Sequence, residues 1–263
     1  MTAEFVKAIH LLAIGAIISV GPLTAHAGKT RYVSPTGSQL VPYTNWARAA
    51  RSIHAAARIS APGDKIIVKK GVYAITKPIV LPAGVWLVSQ SGAAGTVIKG
   101  NGAIRCVSMP QPGSGLKGFT ITGGATFGNG AGVYCNNGVV TDCVITNNNA
   151  TGGQEPSGGG VYAVNYSLIS NCVVSGNSVM GTADPVFDHA WGGGVYAYQS
   201  AVIRCVIQDN RVTAGNSARG AGIFCNSRME NCLVGGNTAY GAAFAMGGGV
   251  YSDVGGRLSL RRR

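Results

Sequence analysis

Two short motifs recur along this chain at nearly constant intervals, and this repeat constrains the fold more than any other feature. The first motif is Gly-[Gly/Ala]-Gly-[Val/Ile]-[Tyr/Phe], and the second is a cysteine followed by two aliphatic residues. The intervals of the first motif are 28, 34, 28 and 27 residues, and those of the second are 29, 33 and 27. Both lengthen at the same place, which indicates a single insertion between Ser178 and Trp191. The aliphatic positions of the first motif are Val133, Val161, Val195, Ile223 and Val250, and the cysteines of the second are Cys143, Cys172, Cys205 and Cys232.

Each repeat contains short β-branched runs separated by glycine and asparagine turns, with no helical periodicity between them. A unit of this kind cannot bury its own apolar face, so it must stack on copies of itself. The sequence therefore predicts an all-β solenoid, a parallel β-helix whose coils lie about 4.8 Å apart.

The composition agrees with this prediction. The chain has 41 glycines in 263 residues, which disfavours helical bundles because each glycine costs roughly 1 kcal/mol in a helix. Hydrophobic residues make up 46% and charged residues only 11%, whereas disordered chains are poor in apolar residues.

An asparagine lies five residues after each repeat cysteine. Asparagine tolerates the left-handed backbone region, and its amide can bond to the coils on either side, so we expect a structural ladder. Gly124 takes this position in the preceding repeat. The ladder residues are Asn148, Asn177, Asn210 and Asn237.

The seven cysteines fall into two columns. Four lie in the Cys143 column, and the other three, Cys135, Cys225 and Cys106, are assigned to a second column, two residues after the aliphatic position of the first motif. Stacked, buried thiols are the favoured interpretation, and disulfides between neighbouring coils remain an alternative. An odd number leaves at least one thiol unpaired within a chain. No Cys-x-x-Cys pair occurs, so no metal site is predicted.

We divide the chain into a signal peptide over residues 1–27, an N-terminal cap with the first strands over 28–95, β-helix rungs over 96–254 and a basic tail over 255–263. The apolar run from Ala8 to Val20 precedes a small-x-small site at Ala25 to Ala27, which predicts export. This run is too short to span a bilayer, so no transmembrane segment is predicted beyond the signal peptide.

Residues Asn45 to Ile59 are Ala-rich, with Trp46, Ala49 and Ile53 on one face. They predict an amphipathic helix, capped by Thr44 or Asn45 and ended at Pro62, that covers the open end of the solenoid.

These features together resemble the secreted right-handed parallel β-helix proteins of the pectin lyase-like superfamily. The resemblance is carried by the Tyr32-Val33-Ser34-Pro35 segment, the Trp46 segment, Pro62-Gly63-Asp64 and the later repeats, which are also similar to those of polymorphic outer-membrane proteins. It implies a right-handed β-helix at the cell surface or outside the cell. That superfamily mixes lyases, hydrolases and epimerases with adhesins, so the activity stays open.

The residue after each aliphatic position of the first motif should point outward, because side chains alternate along a strand. The resulting stripe could guide a glycan chain, or it could simply be an aromatic ladder that stabilises neighbouring strands. These candidate glycan contacts are Tyr134, Tyr162, Tyr196, Phe224 and Tyr251.

Candidates for catalysis are few. β-Helix glycan enzymes need paired carboxylates, or a carboxylate-bound Ca²⁺ with a basic residue. The best cluster is Asp184, Asp188 and His189 in the insertion, with Arg204 on the following strand. Such a loop can carry a substrate site, but the Asp184-Pro185 pair is also common in turns that serve only the fold. Ca²⁺ would be a cofactor only under this alternative.

The formal net charge of +12 attracts polyanions. For an exported protein these are anionic polysaccharides or an envelope surface, and no nucleic-acid or nucleotide site is predicted. We therefore expect a non-catalytic, secreted or cell-surface β-helix that contacts anionic glycans, with a polysaccharide lyase or related glycan-active enzyme as the alternative. The final repeat lacks a closing element, so a fragment of a longer adhesin is a third hypothesis.

Overall fold

Short parallel strands form nearly all the regular structure. The computed structural model describes residues 28–252, apart from 154, 183, 185 and 187, together with the backbone of Arg257–Leu260. The predicted signal peptide lies outside these residues, as do the side chains of the predicted basic tail. Two short helices are present, α1 (Ile53–Arg58) and α2 (Gly92–Gly95).

The N-terminal part contains six strands that precede the regular repeats. They are β1 (Thr30–Val33), β2 (Lys65–Val68), β3 (Gly71–Ala74), β4 (Ile79–Val80), β5 (Trp86–Ser89) and β6 (Thr96–Lys99).

The repeats follow as successive coils of the solenoid. The first two coils comprise β7 (Val107–Met109), β8 (Gly115–Lys117), β9 (Thr120–Thr122), β10 (Ala125–Phe127), then β11 (Val133–Asn136), β12 (Val139–Thr141), β13 (Val144–Thr146) and β14 (Asn149–Thr151). The third comprises β15 (Val161–Val164), β16 (Leu168–Ser170), β17 (Val173–Ser175), β18 (Ser178–Met180) and β19 (His189–Trp191). The fourth comprises β20 (Val195–Tyr198), β21 (Ala201–Ile203), β22 (Val206–Gln208), β23 (Arg211–Ala214) and β24 (Ser217–Arg219). The last strands are β25 (Ile223–Cys225), β26 (Arg228–Gly235), β27 (Thr238–Gly241), β28 (Phe244–Met246), β29 (Val250–Tyr251) and β30 (Arg257–Leu260).

Strands of equivalent position stack into long parallel sheets. The largest has 15 strands in two limbs that meet at β26, limb A running from β1 to β21 and limb B from β3 to β22. Sheet C has 7 strands, ordered β29-β25-β20-β15-β11-β7-β4, and sheet D has 5, ordered β10-β14-β18-β23-β27. Sheet E has 3, ordered β19-β24-β28. Each coil visits sheet C, limb A, limb B and sheet D, and the later coils add sheet E, so the fold is a parallel β-helix.

The register places equivalent residues of the repeat beside one another. Val133 pairs with Val161, which pairs with Val195, which pairs with Ile223, and all four side chains are fully buried. The neighbouring inward column of sheet C runs through Met109, Cys135, Ala163, Ala197 and Cys225. The core is thus a set of apolar columns along the solenoid axis.

The predicted N-terminal helix is not confirmed over most of its length. Only Ile53–Arg58 is helical, and its N-cap is Ser52, whose hydroxyl accepts from the backbone N–H of Ala55. Ala50 instead pairs in parallel with Val33 of β1. The segment that covers the first edge of limb A consists instead of turns and bends with one β-bridge, because backbone hydrogen bonds with Tyr43 and Ala50 satisfy the open strand where a helix would not.

The turns between limb B and sheet D correct one detail of the asparagine prediction. The left-handed residue is the one before the ladder position, for example Asn147 at φ 54° and Gly176 at φ 64°. The ladder asparagines themselves do not have positive φ, so their role lies in hydrogen bonding alone.

Candidate glycan-contact site

The five predicted stripe residues lie on the outer face of sheet C and stack on one another. Ring centroids are 5.5 Å apart for Tyr134 and Tyr162, 4.9 Å for Tyr162 and Tyr196, and 4.8 Å for Tyr196 and Phe224. Phe224 and Tyr251 are 5.8 Å apart, and all four ring pairs are stacked. We call these five residues the aromatic ladder.

The ladder is less exposed than the sequence predicts. Phe224 is only 1% exposed, and the four tyrosines are half-buried. The prediction of an exposed stripe is therefore wrong for Phe224. The reason is that Trp191 of sheet E packs against the ladder, 6.0 Å from Tyr196 and 5.0 Å from Phe224. The ladder thus lines a corner between sheet C and sheet E.

The stacked geometry limits how a sugar could contact this corner. Sugar rings pack on the faces of aromatic side chains, but ring faces inside a stacked column are already covered by the neighbouring rings. The ladder therefore offers ring edges and hydroxyl groups rather than faces. Contact with a glycan would depend on hydrogen bonds and charge.

Two arginines lie over rings of the ladder. The guanidinium of Arg105 is 5.0 Å from the centroid of the Tyr134 ring, and that of Arg219 is 5.4 Å from Tyr251 and 5.8 Å from Trp191. Arg105 donates to the carbonyls of Gly130 and Asn129, and Arg219 donates to the hydroxyl of Ser217. Neither guanidinium is paired with a carboxylate in the described part of the chain.

Burial changes the acidity of groups in this corner. It lowers the pKa of Arg105, while the neighbouring Tyr134 acts in the opposite direction. Burial, with a smaller contribution from Tyr134, raises the pKa of Tyr162. Tyr162 therefore stays a neutral hydrogen-bonding group at neutral pH, and the positive charge of the corner belongs to the arginines.

Three polar atoms of the corner and its rim are buried without a hydrogen-bond partner among the described residues: Asn129 Oδ1, His189 Nδ1 and Trp191 Nε1. A buried polar group without a partner costs about 1–3 kcal/mol.

Sequence reasoning missed Trp191, Arg105 and Arg219, although a signal exists for Trp191 and Arg219. Sheet E pairs Trp191 with Arg219 and Arg219 with Met246, and Ser157 bridges to Trp191. Each of these residues directly precedes a glycine motif. The position before the motif therefore specifies the wall of the corner.

The predicted catalytic cluster is only partly brought together. Asp188 and His189 adjoin at the start of β19, and Asp188 is 1% exposed, accepting from the backbone N–H of Gly215 through Oδ2. Its Oδ1 has no hydrogen-bond partner in the part of the insertion and coils that the structure describes. Asp184 is exposed and accepts from the backbone N–H of Val186 within its own turn. Arg204 lies at a different turn, between limbs A and B, and donates to Asn171.

The ladder asparagines form one hydrogen-bonded column. The side-chain amide of Asn148 lies 2.9 Å from Asn177 Oδ1 and donates to the carbonyls of Ile121 and Thr146. Asn177 repeats this pattern with Asn210 at 3.0 Å, and Asn210 with Asn237 at 2.9 Å. Gly124 donates its backbone N–H to Asn148 Oδ1, which ends the column.

The repeat cysteines also lie in one column. Val173 donates to the carbonyl of Cys143, Val206 to that of Cys172, and Leu233 to that of Cys205. All seven cysteines are free and buried. Hydrogen bonds with Cys143 and Cys205, together with burial, raise the pKa of Cys172. Cys106 joins neither column, because its thiol faces the carbonyl of Thr122 beside the asparagine ladder.

Among the described residues, no group of three or more His, Cys, Asp or Glu side chains could hold a metal ion. No helix in the described ranges is long and apolar enough to cross a membrane.

The strand order defines the protein as a parallel β-helix, and the comparisons with known proteins agree. A family model described as "Right handed beta helix region" matches residues 88–254, so the chain belongs to the right-handed β-helix family. This confirms the fold expected from the repeats.

Two kinds of solved structure are similar to the chain. The pectin methylesterase PemA from Erwinia chrysanthemi is 12% identical with a TM-score of 0.42, and the alignment covers 77% of this chain and 66% of that one. The chain therefore spans just under two thirds of the methylesterase. The pectate lyase Pel9A is 14% identical with a TM-score of 0.38, covering 84% of this chain and 78% of that one. No curated protein matches the sequence.

Proposed function

We propose that this chain is an exported, non-catalytic β-helix protein that binds anionic polysaccharide along the corner between sheets C and E. The observation that carries the proposal is the pair of guanidinium groups, Arg105 and Arg219, held over the aromatic ladder without a carboxylate partner among the described residues. Guanidinium groups recognise carboxylates through paired, charge-assisted hydrogen bonds.

The shape of the corner suits a polymer. The ladder runs along the solenoid axis with one ring in each coil, so ring edges recur at about the interstrand spacing of 4.8 Å. An extended chain lying in the corner would meet Arg105 at one end and Arg219 towards the other.

Binding to oligogalacturonate and to an uncharged oligosaccharide of equal length tests this proposal. The double variant Arg105→Gln, Arg219→Gln should bind oligogalacturonate at least about 10-fold more weakly, because each charge-assisted bond is worth about 1.5–3 kcal/mol. The double variant Arg204→Gln, Arg211→Gln removes the same charge at exposed sites away from the corner and should bind like the parent. Equal losses in both variants would show that only net charge matters and would contradict the proposed site.

The alternative function is a polysaccharide lyase or related enzyme that uses the insertion. It is favoured by one feature, the buried carboxylate oxygen Asp188 Oδ1 beside His189. Release of unsaturated products from polyuronate, with and without Ca²⁺, separates the two functions. The non-catalytic proposal predicts no release, and release that disappears in Asp188→Ala while the variant keeps its melting temperature would overturn it.

A further inference from the structure

The positive charge of this protein is concentrated at one end of the solenoid. Residues 28–117 contain twelve Lys and Arg residues and one acidic residue, Asp64, whereas residues 118–252 contain four basic and six acidic residues. The first part includes the segment over residues 36–50, which we call the end layer, and the first coils. The molecule is therefore strongly basic at its N-terminal end and slightly acidic along the rest of the described solenoid.

Most of these cations are free to meet a partner. Arg31 is buried and paired with Asp64 at 2.9 Å, and Lys117 lies 3.6 Å from Asp142. Within the described ranges, the other exposed basic residues of this part have no carboxylate partner. They are Lys29, Arg48, Arg51, Arg58, Lys65, Lys69, Lys70, Lys77 and Lys99.

The outermost layer at this end also exposes aliphatic side chains. The segment over residues 36–50 lies beyond β1, held by the hydrogen bond from Tyr32 N–H to the Tyr43 carbonyl and by the pairing of Ala50 with Val33. Leu40 is 54% exposed and Val41 is 57% exposed on this layer.

Basic and aromatic groups belong to this layer or adjoin it. Arg48 donates to the carbonyl of Val41 at 2.9 Å. Arg51 donates to the carbonyl of Gly37, in the same loop, at 2.8 Å. The ammonium of Lys69 lies 6.0 Å from the half-buried Trp46 ring. Aliphatic tips ringed by Lys, Arg and Trp are the arrangement that binds an anionic bilayer, with the apolar groups entering the interface and the cations contacting headgroups.

We propose that the N-terminal end layer docks end-on to an anionic phospholipid surface. Leu40 and Val41 enter the interface, and Arg48, Arg51 and Lys69 contact the headgroup phosphates. A polysaccharide would satisfy the cations but offers no hydrocarbon to cover the aliphatic pair, so lipid fits the end layer better. Docking of this kind leaves the corner between sheets C and E free, and it does not depend on the proposed glycan binding.

Flotation of the full chain with phospholipid vesicles tests this inference. Vesicles of equal parts phosphatidylcholine and phosphatidylglycerol should bind the protein, and phosphatidylcholine vesicles should bind it much more weakly. The double variant Arg48→Gln, Lys69→Gln should bind the anionic vesicles roughly 30-fold more weakly, from about 1 kcal/mol for each basic residue near an anionic surface. Leu40→Ser should also weaken binding, and Arg204→Gln, Arg211→Gln should leave it unchanged.

The apolar run at residues 8–20 is present in every variant, so it contributes equally to each comparison. Unfolding of each variant by urea checks that the end layer has not lost its fold. Two results would overturn the proposal. The first is equal binding of anionic vesicles by both double variants. The second is loss of vesicle binding by Arg48→Gln, Lys69→Gln with no effect of Leu40→Ser, together with an affinity of the parent for immobilised polygalacturonate equal to its affinity for the vesicles. The second result would identify the end layer as a polysaccharide surface. Oligogalacturonate binding at the corner is measured separately, so failure of one proposal does not imply failure of the other.

Discussion

Glycine and asparagine lock successive coils together at the scale of single residues. The glycine at the third position of the first four glycine motifs lies against the asparagine ladder: a Cβ added at Gly194 would meet the Gly222 carbonyl oxygen at 2.6 Å and Asn210 Nδ2 at 2.8 Å. The first glycine, such as Gly192 at φ 62°, makes the turn into sheet C. The two sequence motifs therefore recur together because they pack on each other.

Gly194→Ala should destabilise the protein by about 1–3 kcal/mol, since an added methyl group has no space between the carbonyl and the amide. Urea unfolding measures this change. Gly235→Ala is the matched control, because a Cβ at Gly235 would meet nothing within 4 Å. Equal stability of the two variants would contradict the close packing of glycine on asparagine.

Asn177→Ala should cost a similar amount, about 1–3 kcal/mol, because it removes the acceptor of the buried backbone N–H of Asn148 and a donor to the carbonyl of Ile145. Asn149→Ala is the control, since that half-buried side chain accepts a hydrogen bond from the Ser178 hydroxyl and does not belong to the buried ladder. An unchanged melting temperature in Asn177→Ala would count against the ladder.

The sequence predicts these columns well and their backbone geometry less well. Spacing identifies Asn148 and Asn177 as equivalent, but it does not reveal that the left-handed residue is the one before each of them. Asparagine occurs at both positions, for example at Asn147 and Asn148. Only the three-dimensional turn distinguishes the residue that bends the chain from the residue that bonds across coils.

At the scale of elements, sheet E determines what the aromatic ladder can do. A strand pattern predicts that Tyr134 and its equivalents point out of sheet C, but it does not predict that β19 folds back over them. The single insertion between β18 and β19 delivers Trp191 to the ladder. Long-range packing of this kind has no local sequence signal, apart from the recurring position before each glycine motif. The predicted N-terminal helix failed for a related reason, since an open strand edge favours an extended partner at Ala50.

The buried thiols predict a pH dependence of stability. Burial raises the pKa of Cys135 to about 11 in the folded protein, against 9.0 for an ordinary thiol. The folded state favours the neutral thiol, whereas the unfolded state releases its proton near pH 9. The stabilisation from the buried neutral thiol is therefore fully present below pH 9 and is lost as the pH rises towards 11. Each pH unit in that window corresponds to about 1.4 kcal/mol for such a group.

Cys135→Ala should therefore lose less stability than the parent between pH 9 and pH 11. Alanine fits this column, because Ala163 and Ala197 are the equivalent residues in the next two coils. Urea unfolding across the window gives the two slopes. Identical slopes would show that this thiol is not shielded from solvent.

At the scale of the whole molecule, the solenoid separates its two proposed binding surfaces. The lateral corner between sheets C and E carries arginines on aromatic rings, and the end layer carries the unpaired cations and the aliphatic tip. The formal net charge of +12 suggests polyanion binding, but a single sum does not reveal that the charge is polarised along the axis. The polarity follows only when the chain is folded into coils in sequence order.

The apolar columns, the asparagine ladder and the aromatic ladder all depend on coils that stack in register. In this register Thr146 pairs with Ser175, and Ser175 pairs with Gln208, on the outer face of limb B. Cysteines introduced at residues 146 and 175, joined by a thiol crosslinker that spans one coil spacing of about 5 Å but not two, test this register directly. The account predicts efficient crosslinking of Thr146→Cys with Ser175→Cys and none of Thr146→Cys with Gln208→Cys, as measured by mass spectrometry of peptides. Equal crosslinking of both pairs, or crosslinking of the distant pair alone, would contradict it.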